Sequence, residues 1–196
     1  MPTKAELRAR FAARRAQMPA TDRAHAASAL ITHLASSPFR LGPSVTIAAY
    51  VPIGAEPGSV EFVDALHERG CAVLLPAVPA GDPRPLEWVH YRLADTGPAD
   101  ALERGRFGLL EPRGPRLGAD AVDDAAVIFV PALAVAHTGI RLGRGAGYYD
   151  RTIGGSRAEL VGVVYDDELV DDLPADAYDV PMGWALTPGG GFEKLG

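Results

Sequence analysis

Two short apolar runs constrain the fold of this chain more than any other feature of its sequence. They are VTIAAYV at Val45–Val51 and VIFVPAL at Val127–Leu133, and each leads towards a loop rich in glycine or proline. Runs of this length that are rich in β-branched residues are typical of strands rather than helices. We therefore predict two buried strands, around which the rest of the fold is arranged.

The segment after the first run predicts a helix and a further strand. Ser59–Arg69 has its apolar residues at helical spacing, and Gly70 is placed to end this helix in a left-handed conformation. Cys71–Leu75 predicts a second strand, which Pro76 is expected to stop. A strand–helix–strand succession implies a right-handed crossover between two parallel strands.

The same alternation continues towards the C-terminus. We predict strands over Leu86–Arg92 and Leu160–Tyr165, and helices near 99–104 and 145–153. Alternating strands and helices predict the α/β class, here a three-layer α/β/α domain with a largely parallel sheet. Ligands of such sheets bind beyond the carboxyl ends of the strands. The loops that follow predicted strands are 52–58, 134–145 and 166–181.

Residues 1–36 predict a helical arm packed on this domain. Thr3 and Glu6 have the spacing of a capping box, so we predict a first helix over 3–17. A second helix follows, and its expected N-cap is Thr21 or Asp22.

Charge, cysteine content and hydropathy exclude several classes of protein. The net charge is −6, which argues against general nucleic-acid binding. Cys71 is the only cysteine, so we expect neither an intramolecular disulfide framework nor a cysteine-based zinc site. No run approaches the ~18 apolar residues that span a bilayer. We expect one soluble, cytoplasmic domain over 1–196, and a monomer, because basic and acidic clusters lie at opposite ends of the chain.

The glycine-rich segment Gly139–Asp150, GIRLGRGAGYYD, carries the strongest chemical signal. Three glycines at alternate positions let the backbone turn tightly and bring N–H groups close to an anion. Arg141 and Arg144 add permanent positive charge that suits phosphate oxygens. The segment is neither a Walker A loop nor a dinucleotide fingerprint, because its spacing differs from both. From these residues alone, a phosphate-binding loop and a surface turn with solvated arginines both remain open.

With Arg151 included, the segment GIRLGRGAGYYDR resembles the signature of the 5-formyltetrahydrofolate cyclo-ligase family, G-x-R-L-G-x-G-x-G-Y-Y-D-R. Other landmarks of that family occur in order. They are a K-x-x-x-R start at Lys4–Arg8, the loop glutamate Glu56, FGLLEP at Phe107–Pro112, and Asp179 within AYDVP. The resemblance covers nearly the whole chain and implies an architecture like that of the phosphosugar isomerases and CoA transferases.

The resemblance also implies roles for individual residues. For ATP it implies Lys4, Arg8, Arg141, Leu142, Gly143, Arg144, Gly145, Ala146, Gly147, Tyr148 and Tyr149, of which Arg144, Arg141 and Lys4 would act on the transferring phosphoryl group. For the folate it implies Val51, Glu56, Phe107, Arg144, Gly145, Ala146, Gly147 and Tyr148. From spacing alone, Lys4 and Arg8 share one helix face, for which a solvated basic surface is the alternative.

Asp150 and Asp179 match the magnesium-binding carboxylates of the family, and Mg²⁺ prefers such hard oxygen ligands together with phosphates. The chain departs from the family pattern at Ala132 and over 135–137. It also departs near Asp179, where Tyr178 replaces a usual histidine and Gly183 a usual acid. Asp176 or an acid of 166–172 is therefore an alternative to Asp179.

The implied reaction is ATP-dependent closure of 5-formyltetrahydrofolate to 5,10-methenyltetrahydrofolate. In it the formyl oxygen is phosphorylated, N10 attacks, and phosphate leaves. Two alternatives remain open: a non-catalytic regulator that binds a nucleotide or phosphosugar, and an ATP-dependent family member that acts on another heterocycle. Glu56 and Asp150 favour the enzyme, because a regulator has no need of either.

Overall fold

The computed structural model describes residues 2–92, 101–105 and 110–196. Its α-helices are α1 (Lys4–Gln17), α2 (Ala20–His33), α3 (Val60–Glu68) and α4 (Tyr148–Ile153). Its first strands are β1 (Thr46–Ala48), β2 (Ala72–Ala77), β3 (Glu87–His90), β4 (Leu102–Arg104), β5 (Leu110–Pro112) and β6 (Ala125–Pro131). The later strands are β7 (Ala134–Ala136), β8 (Arg141–Leu142), β9 (Glu159–Val163), β10 (Leu169–Val170), β11 (Trp184–Thr187) and β12 (Gly191–Lys194).

Within the described residues, seven strands form the main sheet in the order β12-β11-β9-β6-β1-β2-β3. The five central strands are parallel, and the edge strands β3 and β12 are antiparallel to their neighbours. Ile47 of the first apolar run pairs with Val73 on one side and with Val127 of the second run on the other. The largely parallel sheet is therefore confirmed, and the two apolar runs lie side by side near its centre.

Helices cover both faces of this sheet, as the three-layer prediction requires. On one face, Leu30 of α2 and Phe62 of α3 belong to a cluster with Phe129 of β6, and the rings of Phe62 and Phe129 meet edge to face at 5.2 Å. On the other face, Ile153 of α4 clusters with Ile128 of β6. Alternate residues of β6 are thus buried on opposite faces, which explains why its sequence is apolar throughout.

The first helix packs on a second, smaller sheet, in which β7 lies between β10 and β8. Leu7 and Phe11 of α1 are buried against Ala134 of β7 and Leu142 of β8. The predicted helix over 3–17 and its capping box are both confirmed. Because Leu7 and Phe11 face this sheet, α1 is fixed next to the glycine-rich segment. Within the part of the chain that the structure describes, no helix is long and apolar enough to cross a membrane.

Two predicted helix and strand boundaries are wrong. Thr21 and Asp22 do not cap α2; the N-cap is Pro19, whose φ of −57° suits that position. Pro76 does not stop β2, which runs to Ala77. Pairing between β1 and β2 ends at Leu74, so no hydrogen bond to β1 is lost at Pro76.

Three further predictions differ from the structure. The helix expected near 99–104 is wrong at 102–104, where Leu102–Arg104 pairs as a strand with Leu110–Pro112; 99 and 100 lie outside the described residues. The first apolar run is a strand only over Thr46–Ala48, and the chain after it turns into the loop that carries Glu56. The helix expected at 145–153 begins at Tyr148, because Gly147 precedes it with a φ of +68°.

Candidate active site

A cavity of about 870 Å³ lies at the carboxyl ends of β1, β2 and β6. Val51 follows β1, Val78 follows β2 and Ala132 follows β6, and all three line it. The loops 52–58, 134–145 and 166–181 each contribute lining residues as well. A cavity of this size can hold most of a nucleotide or a pterin, and it lies where ligands of parallel sheets bind.

Most of the residues predicted for the site line this cavity. They are Lys4, Arg8, Val51, Glu56, Arg141, Gly143, Arg144, Gly145, Ala146, Gly147, Tyr148, Tyr149, Asp150 and Asp179. Leu142 does not line it, because its side chain is buried against Leu7 and Phe11. Phe107 lies outside the described residues. The structure therefore brings together segments from the N-terminus, the first strand loop, the glycine-rich segment and the C-terminal quarter.

Arg141 and Asp150 form a two-pronged ion pair in the wall of the cavity. Arg141 Nη2 donates to both carboxylate oxygens of Asp150, at 2.8 and 2.9 Å, and Nη1 donates to the carbonyl of Pro131 at 3.2 Å. Arg141 is only 7% exposed, and its charge-assisted hydrogen bonds to Asp150 hold the guanidinium group in place. Its Nε is one of the buried polar atoms that have no partner among the described residues, and the hydroxyl of Tyr149 is another.

Arg144 and Glu56 join the glycine-rich segment to the loop after β1. Arg144 Nε donates to Glu56 Oε1 at 2.9 Å, and its Nη2 donates to the carbonyl of Ile53 at 3.1 Å. The backbone N–H of Ile53 donates to the other oxygen of Glu56 at 2.8 Å. The Glu56 side chain is 6% exposed whereas that of Arg144 is 54% exposed. Glu56 therefore fixes one edge of the guanidinium and leaves the other edge open to a ligand.

Lys4 of α1 reaches the opposite end of the sequence. Its Nζ donates to Asp176 at 2.7 Å and to Asp179 at 2.5 Å. Burial raises the pKa of Asp179, but the hydrogen bonds from Lys4 and from the Asp176 N–H outweigh it and hold that pKa below its usual value. Burial likewise lowers the pKa of Lys4, and its two carboxylate partners more than compensate, so the pKa is raised. The pair is charged at neutral pH.

Arg8 lies one helical turn after Lys4 and also lines the cavity. Its Nε donates to the carbonyl of Gly143 at 2.9 Å. Both basic residues of the N-terminal motif therefore face the same cavity, and Arg8 contacts the glycine-rich segment directly.

Tyr149 places a protonated hydroxyl beside these charges. Its pKa is raised by burial and by the nearby Glu56, while Arg141 acts in the opposite direction. The Arg141 guanidinium lies 5.8 Å from the centre of the Tyr149 ring. The ring thus supports Arg141 from one side while Asp150 holds it by hydrogen bonds.

Glu111, Arg151 and Tyr178 are among the cavity-lining residues that sequence reasoning did not assign to the site. Glu111 is 6% exposed and accepts a hydrogen bond from Arg116 at 2.9 Å. Tyr178 is exposed at the edge of the cavity. The signals were present, because Glu111 belongs to FGLLEP and Arg151 ends the glycine-rich signature. The sequence alone does not show where the fold places these residues.

The donors in the cavity suit a divalent cation only in part. Among the described residues, no group of three or more His, Cys, Asp or Glu side chains could hold a metal ion. Asp150 and Asp179 nevertheless both line the cavity and offer hard oxygen donors. Mg²⁺ is commonly bound by one or two carboxylates with phosphates and water completing its ligands. The two acids therefore fit Mg²⁺ that arrives with a nucleotide rather than an all-protein metal site.

Comparison with known proteins identifies relatives along most of the chain. The family model described as "5-formyltetrahydrofolate cyclo-ligase family" matches residues 1–188. The 5-formyltetrahydrofolate cyclo-ligase of Mycolicibacterium smegmatis is 48% identical over 155 residues, which are 76% of this chain and 77% of that protein. The cyclo-ligase of Escherichia coli strain K12 is 27% identical over 146 residues, 73% of this chain and 78% of the other.

Solved structures agree with these matches. The NMR structure of 5,10-methenyltetrahydrofolate synthetase from Aquifex aeolicus is 29% identical, with a TM-score of 0.77 over 98% of this chain and 92% of that one. A 5,10-methenyltetrahydrofolate synthetase from Mycoplasma pneumoniae, 19% identical, shares the fold with a TM-score of 0.69 over 94% and 98% of the two chains. Because the family model matches residues 1–188 and the Mycolicibacterium smegmatis enzyme is 48% identical, this chain belongs to the 5-formyltetrahydrofolate cyclo-ligase family.

Proposed function

We propose that this chain is a 5-formyltetrahydrofolate cyclo-ligase. It would use ATP to close 5-formyltetrahydrofolate into 5,10-methenyltetrahydrofolate, with release of ADP and phosphate. The observation that carries the proposal is that one cavity collects the cations of α1 and of the glycine-rich segment together with Glu56 and Asp150. Two substrates, one a polyanion and the other a pterin with several N–H donors, need such a mixed site.

The triphosphate would lie against Lys4, Arg8, Arg141 and Arg144. Phosphoryl transfer depends mostly on positioning and on electrostatic stabilisation of the transferring group. The two-pronged pair with Asp150 keeps Arg141 oriented before any ligand arrives, and Glu56 does the same for Arg144. Guanidinium groups that are already in place cost little to reorganise during the reaction.

Magnesium would bind Asp150 and Asp179 together with the phosphates, and it would neutralise part of the phosphate charge. Asp150 is held by Arg141 and Asp179 by Lys4. Each acid therefore lies beside a cation that is assigned to the same phosphate chain.

The folate would be held by Glu56, Val51 and Tyr148, with Arg144 to Gly147 at its border. A carboxylate can accept hydrogen bonds from adjacent ring N–H donors, as it does from the edge of a nucleic-acid base. Glu56 is buried at the cavity wall and keeps free lone pairs on both oxygens after it has bound Arg144 and Ile53. Stacking of Phe107 on the pterin stays a prediction.

The chemistry follows from the two substrates. The formyl oxygen attacks the γ-phosphorus, and the bond from phosphorus to the β-phosphate oxygen breaks to release ADP. N10 then attacks the formyl carbon, the carbon–oxygen bond breaks, phosphate leaves and N10 loses its proton. Both nitrogens belong to one molecule, so proximity favours closure once the oxygen has become a leaving group. The Tyr149 hydroxyl stays protonated and so does not serve as a base.

Lys4 and Arg8 make the N-terminal arm part of this site. We therefore propose that 1–196 acts as one unit and that a chain without α1 would lose ATP binding. A monomer in the cytoplasm stays the expectation from sequence.

The proposal is tested by the absorbance of methenyltetrahydrofolate formed from 5-formyltetrahydrofolate, with and without Mg·ATP. Arg144→Ala and Asp150→Ala should each lower kcat/KM by about 10²-fold or more. Arg157→Ala, at an exposed position that does not line the cavity, should match the parent. A folded parent that binds ATP but forms no product would contradict the cyclo-ligase assignment and favour another heterocycle. If the parent hydrolyses no ATP in the presence of 5-formyltetrahydrofolate or another heterocycle, the result would favour a non-catalytic regulator.

A further inference from the structure

We propose that Arg151 is a further phosphate-binding residue, which holds the phosphate chain of ATP together with Arg8. The inference rests on the proposed function, because it concerns the same cavity and the same nucleotide. Arg151 lies in α4 directly after Asp150 and lines the cavity. Neither its charge nor its contacts are needed for the roles assigned above.

Each of the three alternate glycines of the loop lies against a guanidinium group. A Cβ built on their Cα atoms would come within 2.7 to 3.4 Å of that group. The pairs are Gly143 with Arg141 (2.7 Å), Gly145 with Arg8 (3.4 Å) and Gly147 with Arg151 (2.7 Å). Arg151 therefore contacts the loop in the same manner as two arginines that are assigned to ATP.

The pairing of Arg151 leaves its charge available. Among the described residues, Arg141 and Arg144 each form an ion pair with a carboxylate. Arg151 instead donates from Nη1 to the carbonyl of Ala146 at 2.7 Å, and Arg8 likewise donates to a carbonyl of the loop. Neither Arg8 nor Arg151 has an acidic partner within the described ranges. These two cations therefore offer an anion full charge without first giving up a carboxylate.

The anion that Arg151 would meet has two sources. ATP brings phosphate oxygens, and the folate brings the carboxylates of its glutamate. We assign Arg151 to phosphate because it is anchored to the loop that carries Arg141 and that Arg8 contacts, and because it lies next to the acid assigned to magnesium. A guanidinium binds phosphate oxygens through charge-assisted hydrogen bonds.

Two substitutions separate charge from loop support. Arg151→Gln keeps a donor for the Ala146 carbonyl but removes the charge, and Arg151→Lys keeps the charge. Arg157→Gln is the matched control, because it makes the same charge change at an exposed position outside the cavity. ATP binding is measured by calorimetry without folate, and the KM values of ATP and of 5-formyltetrahydrofolate are measured separately.

The expected result is that Arg151→Gln weakens ATP binding by about tenfold or more, the loss of a hydrogen bond to a charged group. Arg151→Lys should lose less, Arg157→Gln should match the parent, and the KM of the folate should stay unchanged in all three. ATP affinity in Arg151→Gln equal to that of the parent would overturn the inference. A rise in the folate KM alone would overturn the assignment to phosphate and favour the glutamate carboxylates. A parent that does not bind ATP would remove both this inference and the proposed function.

Discussion

Glu168→Ala is expected to destabilise the protein far more than Asp167→Ala, although the two acids are neighbours in sequence and pair with neighbouring arginines of α1. Glu168 pairs with Arg15, and their side chains are 3% and 5% exposed. Asp167 pairs with Arg14, and their side chains are 52% and 50% exposed. Both substitutions therefore remove an acid of the same loop that pairs with an arginine of the same helix, and the main difference is whether the ion pair is buried.

The magnitude follows from what each substitution leaves behind. Glu168 accepts from Arg15 Nε and Nη2, both at 2.7 Å, and from the backbone N–H of Tyr165 at 2.9 Å. Its removal leaves Arg15 charged and buried, with the carbonyl of Ala132 as its remaining hydrogen-bond acceptor among the described residues. Such a loss costs about 3–5 kcal/mol. The exposed pair contributes about 0–1 kcal/mol, so Asp167→Ala should be nearly neutral.

The assay is equilibrium unfolding in urea at pH 7 for the parent and both variants. The free energy of unfolding of small proteins is about 5–15 kcal/mol. Glu168→Ala should therefore lower the urea concentration at the unfolding midpoint strongly, while the dependence of the free energy on urea concentration stays unchanged. It should also raise the KM of ATP, because Arg15 anchors the helix that carries Lys4 and Arg8. Equal destabilisation by Glu168→Ala and Asp167→Ala would refute the reasoning. The double variant Arg15→Met with Glu168→Leu should unfold at a higher urea concentration than Glu168→Ala, because it leaves no unpaired buried charge.

Three further outcomes are expected. Gly147→Ala should destabilise by about 1 kcal/mol in urea unfolding and raise the KM of ATP, because φ is +68° there. Gly105→Ala should destabilise by about 1–3 kcal/mol in the same assay, because its Cβ would lie 2.3 Å from Glu111 Cδ. Asp179→Asn should be less stable than the parent at pH 7, because the carboxylate paired with Lys4 has a lowered pKa. The stability that the Asp179 carboxylate contributes is lost as the pH falls through its lowered pKa and the group becomes protonated. The unfolding midpoints of the parent and of Asp179→Asn should therefore converge below about pH 4.

One control serves both glycine variants. Gly155 has an ordinary φ, and a Cβ there would meet nothing within 4 Å. Gly155→Ala should therefore match or slightly exceed the parent in stability. If it destabilises as much as Gly147→Ala, conformation does not explain the effect. For Asp179→Asn, a stability difference that stays constant from pH 7 to pH 3 would contradict the charge argument.

The parts of the fold that could be predicted are those encoded by short stretches of sequence. The capping box at Thr3 and the apolar runs at Val45–Val51 and Val127–Leu133 each carry their own signal. Two of the errors arose where the pairing of strands decided the outcome. Leu102–Arg104 is a strand because Leu110–Pro112 pairs with it, and β2 continues through Pro76 because β1 has already ended.

The site divides in the same way. Most residues of the signature and its landmarks line the cavity as a group, and these motifs can be identified because they are local in sequence. Which residues bond each other could not. Arg144 meets Glu56 across 88 positions and Lys4 meets Asp179 across 175, so no spacing rule reaches either pair.

These ion pairs give the acids of the cavity a role before any ligand binds. The family resemblance implies that Glu56 binds the pterin and that Asp150 and Asp179 bind magnesium. In the folded chain each of the three already neutralises one cation. Under the proposed function, phosphate binding would release the acids, because a cation that turned to phosphate would leave its carboxylate free for another partner. Under the proposed function, Asp179 would become available to a divalent cation as Lys4 moved to the nucleotide. The site would thus keep opposite charges close together before ligands arrive and still present both to a substrate that needs both.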